Sequence, residues 1–428
     1  MSYHCISRTA IVVASLMAAG LLTPALAERH WIEGVSIADG GAVTLTARDG
    51  HIKTPEGGSI YMWGYAAGEG AMQYPGPTLI MNEGATVQIN LHNTLTTPVS
   101  IVFPGQEGVL ATGGEAGALT REAAPNGGAV SYAFTAHQPG TYLYHSGTRQ
   151  DLQVEMGLVG ALIVRPAVAT QAYNHASTVF DHEYLFLLTE ADPNVHAAIE
   201  TGHPARADMT SFWAVYWFIN GRCGPDTMSA PGVTWLPNQP YDCSPTMYPG
   251  EKLLMRLIGA GRDLHPYHMH GNNATIVARD GRMLESVPGV SGPDLAESDF
   301  TITVAPGQTT DAIFEWTGAK LGWDIYGHTS TNEPMMPHEY APDHGKAFPV
   351  TLPNPMDLTY GGHYSGSPFL GGMGMLPPAN EGLNPYGAFM YMWHSHNEKE
   401  IVNNNVFPGG MLTMMMVMPP TTNMVMAP

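Results

Sequence analysis

Two His-x-His pairs in the C-terminal half of the chain carry its clearest chemical signal. His268 and His270 lie within HPYHMHG, and His394 and His396 lie within MWHSHNE. Side chains alternate across a strand, so residues two apart lie on the same face. If both segments are neighbouring strands, four imidazoles come together. Neutral imidazole suits copper, zinc, nickel and iron, and the spacing therefore predicts a metal site.

The same alternation predicts what lies on the other side of these segments. His265 precedes His268 by three residues, so an extended segment points it to the opposite face. Ser395, between the two histidines of the second pair, also points away from them. We therefore expect one face with four imidazoles and an opposite face with His265 and Ser395.

The elements that must position these residues are short strands separated by turns. One set of β-rich runs comprises AVTLTAR, SIYMWGY, TLIMNEGATVQINLHN, AVSYAFTA, TYLYH and GALIVRP. A second set, including YLFLLTE, KLLMRLIGA, ATIVARDG and FMYMWHSH, follows in a similar order. This spacing is typical of antiparallel sandwiches, and the repetition predicts two sandwich domains that arose by duplication. The predicted fold class is all-β.

The predicted organisation has three parts. Residues 1–27 read as a signal peptide, with Arg8 before an apolar run and ALA at 25–27 as the cleavage site. Residues 28–168 form the first domain, and residues 174–428 form the second. We therefore expect an exported protein, periplasmic or secreted.

The second domain carries a long insertion at about 328–386, rich in Pro, Gly, Met and His. Long irregular loops are often functional. Soft methionine and imidazole ligands can hold Cu(I), and the alternative is a meandering cover over the domain. The residues that prompt the first interpretation are Met335, Met336, His338, His344, His363, Met373 and Met375.

Composition excludes some classes of function. The formal net charge is −20 and no basic stripe is present, which argues against a nucleic-acid partner. No segment after the signal is long and apolar enough to span a bilayer. Beyond Cys5 in the signal, Cys223 and Cys243 are the cysteines, and in an exported chain they predict one disulfide.

Seven segments together resemble the multicopper oxidase family, which is built from cupredoxin sandwich domains. They are YPGPT at 74–78, EG at 83–84, GTYLYHS at 140–146, ING at 219–221, HPYHMHG at 265–271, VAPGQ at 304–308 and WHSH at 393–396. The resemblance implies two cupredoxin-like Greek-key β-sandwich domains and copper as cofactor. It places His145, His268, His270, His394 and His396 in the oxygen-reducing copper cluster, and His265 in the mononuclear blue copper site.

The chain departs from the family pattern at four places. The first copper motif should fall near residues 103–106, where no histidine occurs, and Gly147 replaces the second histidine of the next motif. Ser395 stands where the family has the cysteine of the blue copper site, and Glu400 stands at the position of that site's second histidine. A serine cannot supply the thiolate that blue copper needs, so we expect no blue copper centre.

These observations predict an exported multicopper-oxidase-like copper protein with redox chemistry at a site made only of histidines. A small-molecule reductant and oxygen are the expected partners. Glu398 and Glu400 are candidate proton donors because they follow the cluster strand. The resemblance also implies a homo-oligomer such as a trimer, since two-domain relatives often build the cluster between subunits. Two alternatives stay open: a copper-binding or buffering protein without turnover, and a scaffold with an empty site.

Overall fold

The computed structural model describes residues 29–317, 324, 328, 330–335, 339–346 and 389–418. The predicted signal peptide lies outside these residues, as does most of the predicted insertion, including Met336, His338, His363, Met373 and Met375. In the part of the chain that is described, no helix has the length and apolar character to cross a membrane.

The first domain is a sandwich of two sheets. In its described residues, one sheet has the order β1-β4-β11-β10 and the other β3-β2-β5-β9-β6, while β7 and β8 form a separate ribbon. The strands are β1 (Val35–Ile37), β2 (Ala42–Lys53), β3 (Ser59–Ala67), β4 (Gly76–Asn82), β5 (Thr86–Asn93), β6 (Leu110–Gly113), β7 (Glu115–Ala116), β8 (Arg121–Glu122), β9 (Gly128–Thr135), β10 (Gly140–His145) and β11 (Val159–Arg165).

The second domain repeats this plan, and one of its two sheets is larger. One has the order β13-β12-β15-β21-β17-β18 with β19 beside β17, and the other β14-β23-β22-β16-β20. The strands are β12 (His182–Ala191), β13 (Tyr216–Ile219), β14 (Thr246–Met247), β15 (Lys252–Gly259), β16 (His265–Met269), β17 (Ala274–Arg279), β18 (Arg282–Met283), β19 (Glu297–Asp299), β20 (Thr301–Val304), β21 (Thr309–Glu315), β22 (Phe389–Ser395) and β23 (Leu412–Val417). The predicted all-β class is confirmed.

Helices are few and short among the residues that the structure describes. The α-helices are α1 (Gln150–Gln153) and α2 (Pro193–Glu200), and 3-10 turns span Ala176–Thr178, Pro204–Arg206, Asp226–Met228, Ala341–Asp343 and Glu398–Ile401. Helix α2 begins with a capped N-terminus. The Asp192 carboxylate accepts a hydrogen bond from the backbone N–H of Asn194 at 3.0 Å, and Pro193 occupies the first turn.

A buried polar network joins the two domains. Arg256 is fully buried, and its guanidinium donates to Glu183 Oε2 and to Thr141 Oγ1, each at 3.0 Å. Thr141 belongs to the first domain and donates in turn to Asp311 of the second. Although burial alone raises the pKa of Glu183, the charges of Arg256 and Arg165 outweigh it and lower that pKa. The domains therefore meet through paired buried charges, although the Nη2 atom of Arg256 has no hydrogen-bond partner among the described residues.

The predicted disulfide is wrong: Cys223 and Cys243 are free thiols in the structure. Both are buried, but they belong to different hydrophobic clusters, Cys223 with Phe218 and Cys243 with Phe186. The Cys243 thiol lies 3.6 Å from the Leu185 carbonyl oxygen. Burial raises the pKa of each thiol well above its ordinary value. Neither sulfur is therefore available as a thiolate ligand.

Candidate metal centre

The pairing of strands β16 and β22 positions the two His-x-His segments. They run antiparallel, and the register places His268 directly opposite His394. Tyr267, Met269 and Trp393 alternate with these histidines and are fully buried in the core of the second domain. Because the aromatic and methionine side chains fill the core, the histidines are left on the other face, as the alternation predicts.

The four imidazoles form one compact group. The ring of His268 lies 5.0 Å from that of His270, 5.4 Å from that of His394 and 4.7 Å from that of His396, measured between centroids. The Nε2 atoms of His270 and His394 are 3.3 Å apart. One ring nitrogen from each of His268, His270 and His394 lies within 4.8 Å of the other two. Such a set can converge on a metal ion.

Neighbouring groups orient these rings. The Nδ1–H of His394 donates to the carbonyl oxygen of Ser395 at 2.7 Å, which leaves the Nε2 lone pair of a neutral ring directed at His270. The Nδ1 atom of His268 shares a hydrogen bond of 2.7 Å with the hydroxyl of Thr301 on strand β20. Hydrogen bonds of this kind fix the tautomer and orientation of metal-binding histidines. Thr301 carried no signal in the sequence, because its role depends on the pairing of β20 with β16.

The environment keeps the imidazoles of His268, His270 and His394 unprotonated. Burial, together with the neighbouring imidazoles, lowers the pKa of His268 and of His270 to about 4. Burial also lowers the pKa of His394, although its bond to the Ser395 carbonyl opposes this shift. Since metals bind the neutral ring, these three residues are in the ligating form at neutral pH.

The centre opens to solvent on one side. The His396 side chain is 53% exposed, and its Nδ1 atom lies 3.6 Å from a carboxylate oxygen of Glu398, which is 77% exposed. Phe300, also partly exposed, packs edge-on against His268 at 5.6 Å between ring centroids. Small molecules can therefore approach the centre along the His396 side.

The structure does not bring His145 into this group. The residue ends strand β10 in the first domain, where its backbone pairs with Val102 and its Nδ1 atom bonds the Ser146 carbonyl oxygen at 2.9 Å. Burial lowers its pKa, so it too is neutral. Among the described residues, the set of three converging ligand atoms includes neither His145 nor His396.

The first domain has packing where the family resemblance places further ligands. Phe103 is buried, and its ring packs against Tyr132, Phe134 and Tyr144 at centroid distances of 5.0–6.3 Å. A Cβ atom added at Gly147 would lie 2.7 Å from Val102 Cγ1 and 2.9 Å from Ser100 Oγ. A histidine would not fit at Gly147 without movement of these neighbours.

On the opposite face, His265 is bound between two carboxylates. Its Nδ1 atom lies 2.9 Å from Glu400 Oε2 and its Nε2 atom 3.0 Å from Glu190 Oε2, with all three side chains at most 1% exposed. Burial alone would lower the pKa of His265, but the hydrogen bonds and charges of Glu190 and Glu400 raise it to about 9. Both ring nitrogens donate, so no lone pair is left to bind a metal.

This buried ion triad contains one predicted residue in an unexpected place, Glu400, and one residue that was not predicted, Glu190. Glu400 faces His265 and not the four imidazoles, and its second oxygen accepts from the Asn397 side chain at 2.9 Å. Glu190, which sequence reasoning missed, accepts from the backbone N–H groups of Arg262 and Asp263. Its only signal was a carboxylate near the end of strand β12, in which every residue is buried.

The ion triad makes the stability of the fold depend on pH, and the direction of this dependence follows from the pKa of His265. The pKa of His265 is about 9 in the folded chain, against roughly 6.5 in an unfolded one. A raised folded-state pKa gives stability that is complete below about pH 6.5 and is lost as the pH rises through about 9. At roughly 1.4 kcal/mol per pKa unit, the contribution is on the order of 3 to 4 kcal/mol.

We therefore expect His265→Gln to lower the free energy of unfolding most at pH 6 and progressively less towards pH 9.5. Urea unfolding at several pH values measures this difference. The control is His51→Gln, because His51 makes a carboxylate contact of 2.8 Å with Glu200 at an exposed position. A difference for His265→Gln that does not change with pH would contradict a protonated His265.

Comparisons with known proteins agree with this architecture. The sequence profile of a family described as "Multicopper oxidase" matches residues 57–168. The iron transport multicopper oxidase fetC of Epichloe festucae (strain E2368) is 42% identical over 95 residues, covering 22% of this chain and 15% of that protein. Laccase-1 of Cryptococcus neoformans var. neoformans serotype D (strain B-3501A) is 28% identical over 269 residues, covering 60% of this chain and 40% of that protein.

Copper resistance protein A of Pseudomonas syringae pv. tomato is 24% identical over 285 residues, which cover 58% of this chain and 44% of that protein. The chain thus spans less than half the length of these curated relatives. Two solved structures share the fold, each with a TM-score of 0.55. They are the multicopper oxidase mgLAC, at 17% identity over 90% of this chain and 86% of that one, and the blue copper oxidase from Nitrosomonas europaea, at 18% over 89% and 86%.

The sandwich fold, the position of the profile match and these relatives lead to the same assignment. The predicted cofactor, copper, is confirmed, because these relatives are copper proteins. Residues 57–168 match the multicopper oxidase family, and the chain as a whole is similar to curated and solved proteins of that kind.

Proposed function

We propose that this protein is a copper-dependent oxidoreductase that works at a site made only of histidines. A small molecule is the reductant and oxygen is the acceptor. The observation that carries the proposal is the face on which His268, His270, His394 and His396 lie together, three of them with pKa values below the ordinary one. Without a ligand, burial of the polar rings of His268 and His394 beside a third imidazole would be unfavourable.

The donors fit copper. Imidazole nitrogen suits it, and the Nε2 atoms of His270 and His394 already converge within 3.3 Å. When bound, copper supplies one-electron redox chemistry and an open position for the acceptor. The protein's own contribution is to orient the ligands through Thr301 and the Ser395 carbonyl, and to exclude water on one side with Phe300.

Proton supply falls to Glu398 in this proposal. Its carboxylate is exposed and lies 3.6 Å from His396 Nδ1, so it can exchange protons between solvent and the edge of the centre. Glu400, the other predicted proton donor, is hydrogen-bonded to His265 and buried. We therefore assign Glu400 a positioning role in the ion triad.

The absence of a blue copper centre is part of the proposal. Ser395 is fully buried, and its hydroxyl oxygen accepts a hydrogen bond from the backbone N–H of Asn397 at 3.2 Å. Within the described residues no thiolate is at hand, because Cys223 and Cys243 are buried as neutral thiols. Electrons would then enter directly from the reductant on the solvent side, near His396.

A second candidate function is copper binding without turnover. It is favoured by the Glu190–His265–Glu400 triad, which occupies the place where the family resemblance puts the electron-accepting copper. A protein with a metal-binding histidine face and no electron relay is suited to buffering copper. The histidine face is the same in both candidates, so the difference between them lies in turnover.

We extend the proposal to location and assembly. A signal peptide at residues 1–27 would direct the protein to the periplasm or outside the cell. The domains would comprise residues 28–168 and 174–428. Of the positions where the family resemblance expects first-domain ligands, only residue 145 is a histidine, and His145 does not join the converging set. A homo-oligomer such as a trimer could therefore complete the site with His145 from a neighbouring subunit.

Variants test which histidines hold copper. We expect His268→Ala with His394→Ala to weaken the highest-affinity copper binding at least about 100-fold, since even removing outer partners of ligands costs 10–100-fold. His145→Ala should have a smaller effect. His265→Ala should change the affinity little, and the exposed His203→Ala is the control. Calorimetric copper titration measures these affinities. Loss of binding in His265→Ala with retention in the double variant would contradict the assignment.

The copper-loaded protein separates the two candidate functions. We expect no intense blue absorption, and oxygen uptake in the presence of a small-molecule reductant that the double variant lacks. An oxygen electrode and a visible spectrum of the same sample measure both. Tight copper binding without oxygen uptake would select the buffering protein, whereas a strong blue band would contradict both candidates.

A further inference from the structure

A group of methionine side chains lies on the same face of the sheet as the four imidazoles. Strands β22 and β23 pair so that Met392 is directly opposite Met414, and Met416 follows two residues later on β23. Side chains two apart along a strand share a face, so Met392 lies on the face that carries His394. We call Met392, Met414 and Met416 the methionine patch.

The burial of the alternating residues supports this facing. Trp393 and Met415, which lie next to members of the patch along the two strands, are fully buried in the core of the second domain. Met392, Met414 and Met416 are partly exposed in the part of the chain that the structure describes. The three thioethers are therefore directed away from the core, where methionine ordinarily serves to fill gaps.

The methionine patch adjoins the imidazole group. The backbone N–H of His270 donates to the carbonyl oxygen of Met392 at 3.3 Å, which continues the pairing of β16 with β22. His270 is therefore the cross-strand neighbour of Met392, and Met392 is that of Met414. Opposite residues of an antiparallel pair have Cα atoms about 4.5–5.5 Å apart, and diagonal residues about 7–8 Å apart. Long side chains span both distances, so the three thioethers lie within reach of one another.

The chemistry of this ligand set favours a cuprous ion. Thioether sulfur is a soft ligand, and soft sulfur ligands select Cu(I). The sulfurs carry no charge, so they suit a monovalent ion better than a divalent one, whose larger charge they would leave uncompensated. Because methionine has three rotatable bonds, the sulfurs can close on an ion while the strands keep their positions.

We propose that Met392, Met414 and Met416 bind one cuprous ion, beside the histidine centre and separate from it. The oriented imidazoles take the first equivalent of copper, and the adaptable thioethers take a second, more weakly held one. Binding of Cu(I) to the patch does not depend on turnover. Its use as a store from which copper reaches the centre on the His270 side rests on the proposed function.

Nuclear magnetic resonance of the methionine methyl groups tests the proposal in the full chain. The methyl carbons are labelled with carbon-13, and single substitutions of each patch methionine by leucine assign the signals. Cu(I) is then titrated without oxygen. We expect the signals of Met392, Met414 and Met416 to shift together during the second equivalent. The signal of Met335, which is 50% exposed and lies outside the strands, should not shift with them.

Two comparisons make the assignment specific. Met392→Leu with Met414→Leu conserves side-chain volume and should remove the second equivalent, whereas Met335→Leu should leave it in place. Circular dichroism confirms that each variant is folded. In the chain with His268→Ala and His394→Ala, the patch signals should still shift, now during the first equivalent, which distinguishes failure of the histidine centre from failure of the patch.

Three results would overturn the proposal. In the first, the patch signals stay unchanged throughout the titration. In the second, they shift only when His268 and His394 are present, so that the thioethers have no ion of their own. In the third, the second equivalent survives Met392→Leu with Met414→Leu, and copper is bound elsewhere in the chain.

Discussion

The candidate centre depends on the antiparallel pairing of strands β16 and β22. Because that register sets His268 against His394, the alternation of each strand assigns every other residue to the core or to the imidazole face. A shift of one residue would bury the histidines and expose Tyr267 and Trp393. The large apolar area of those two side chains therefore holds the register, and the metal face follows from core packing.

The opposite face of strand β16 carries His265, and there the structure has to neutralise a buried charge. His265 is buried, so the positive charge of its protonated ring has to be balanced by negative charge nearby. Glu190 and Glu400 compensate it with two hydrogen bonds near 3 Å. Removing one member would leave a buried charge unpaired, which typically costs 3–5 kcal/mol. The family resemblance places an electron-accepting copper at His265 and Glu400. In this chain those residues instead form a buried ion triad that stabilises the fold.

Sequence reasoning reached the fold and the imidazole face because both are local patterns. Alternation along HPYHMHG and MWHSHNE places His268, His270, His394 and His396 without knowledge of the rest of the chain. Glu190 was not predictable, since it meets His265 across 75 residues of sequence. The free cysteines were missed for a related reason: their count suggests a bond, but the fold places Cys223 and Cys243 in separate hydrophobic clusters.

X-ray absorption at the copper edge tests the central claim most directly, because it identifies the atoms that contact the metal. The protein is loaded with one equivalent of copper and measured in both oxidation states. We predict a first shell of nitrogen with the outer scattering of several imidazole rings and no sulfur. A first-shell sulfur, from a cysteine or a methionine, would contradict a centre built from the histidines of strands β16 and β22.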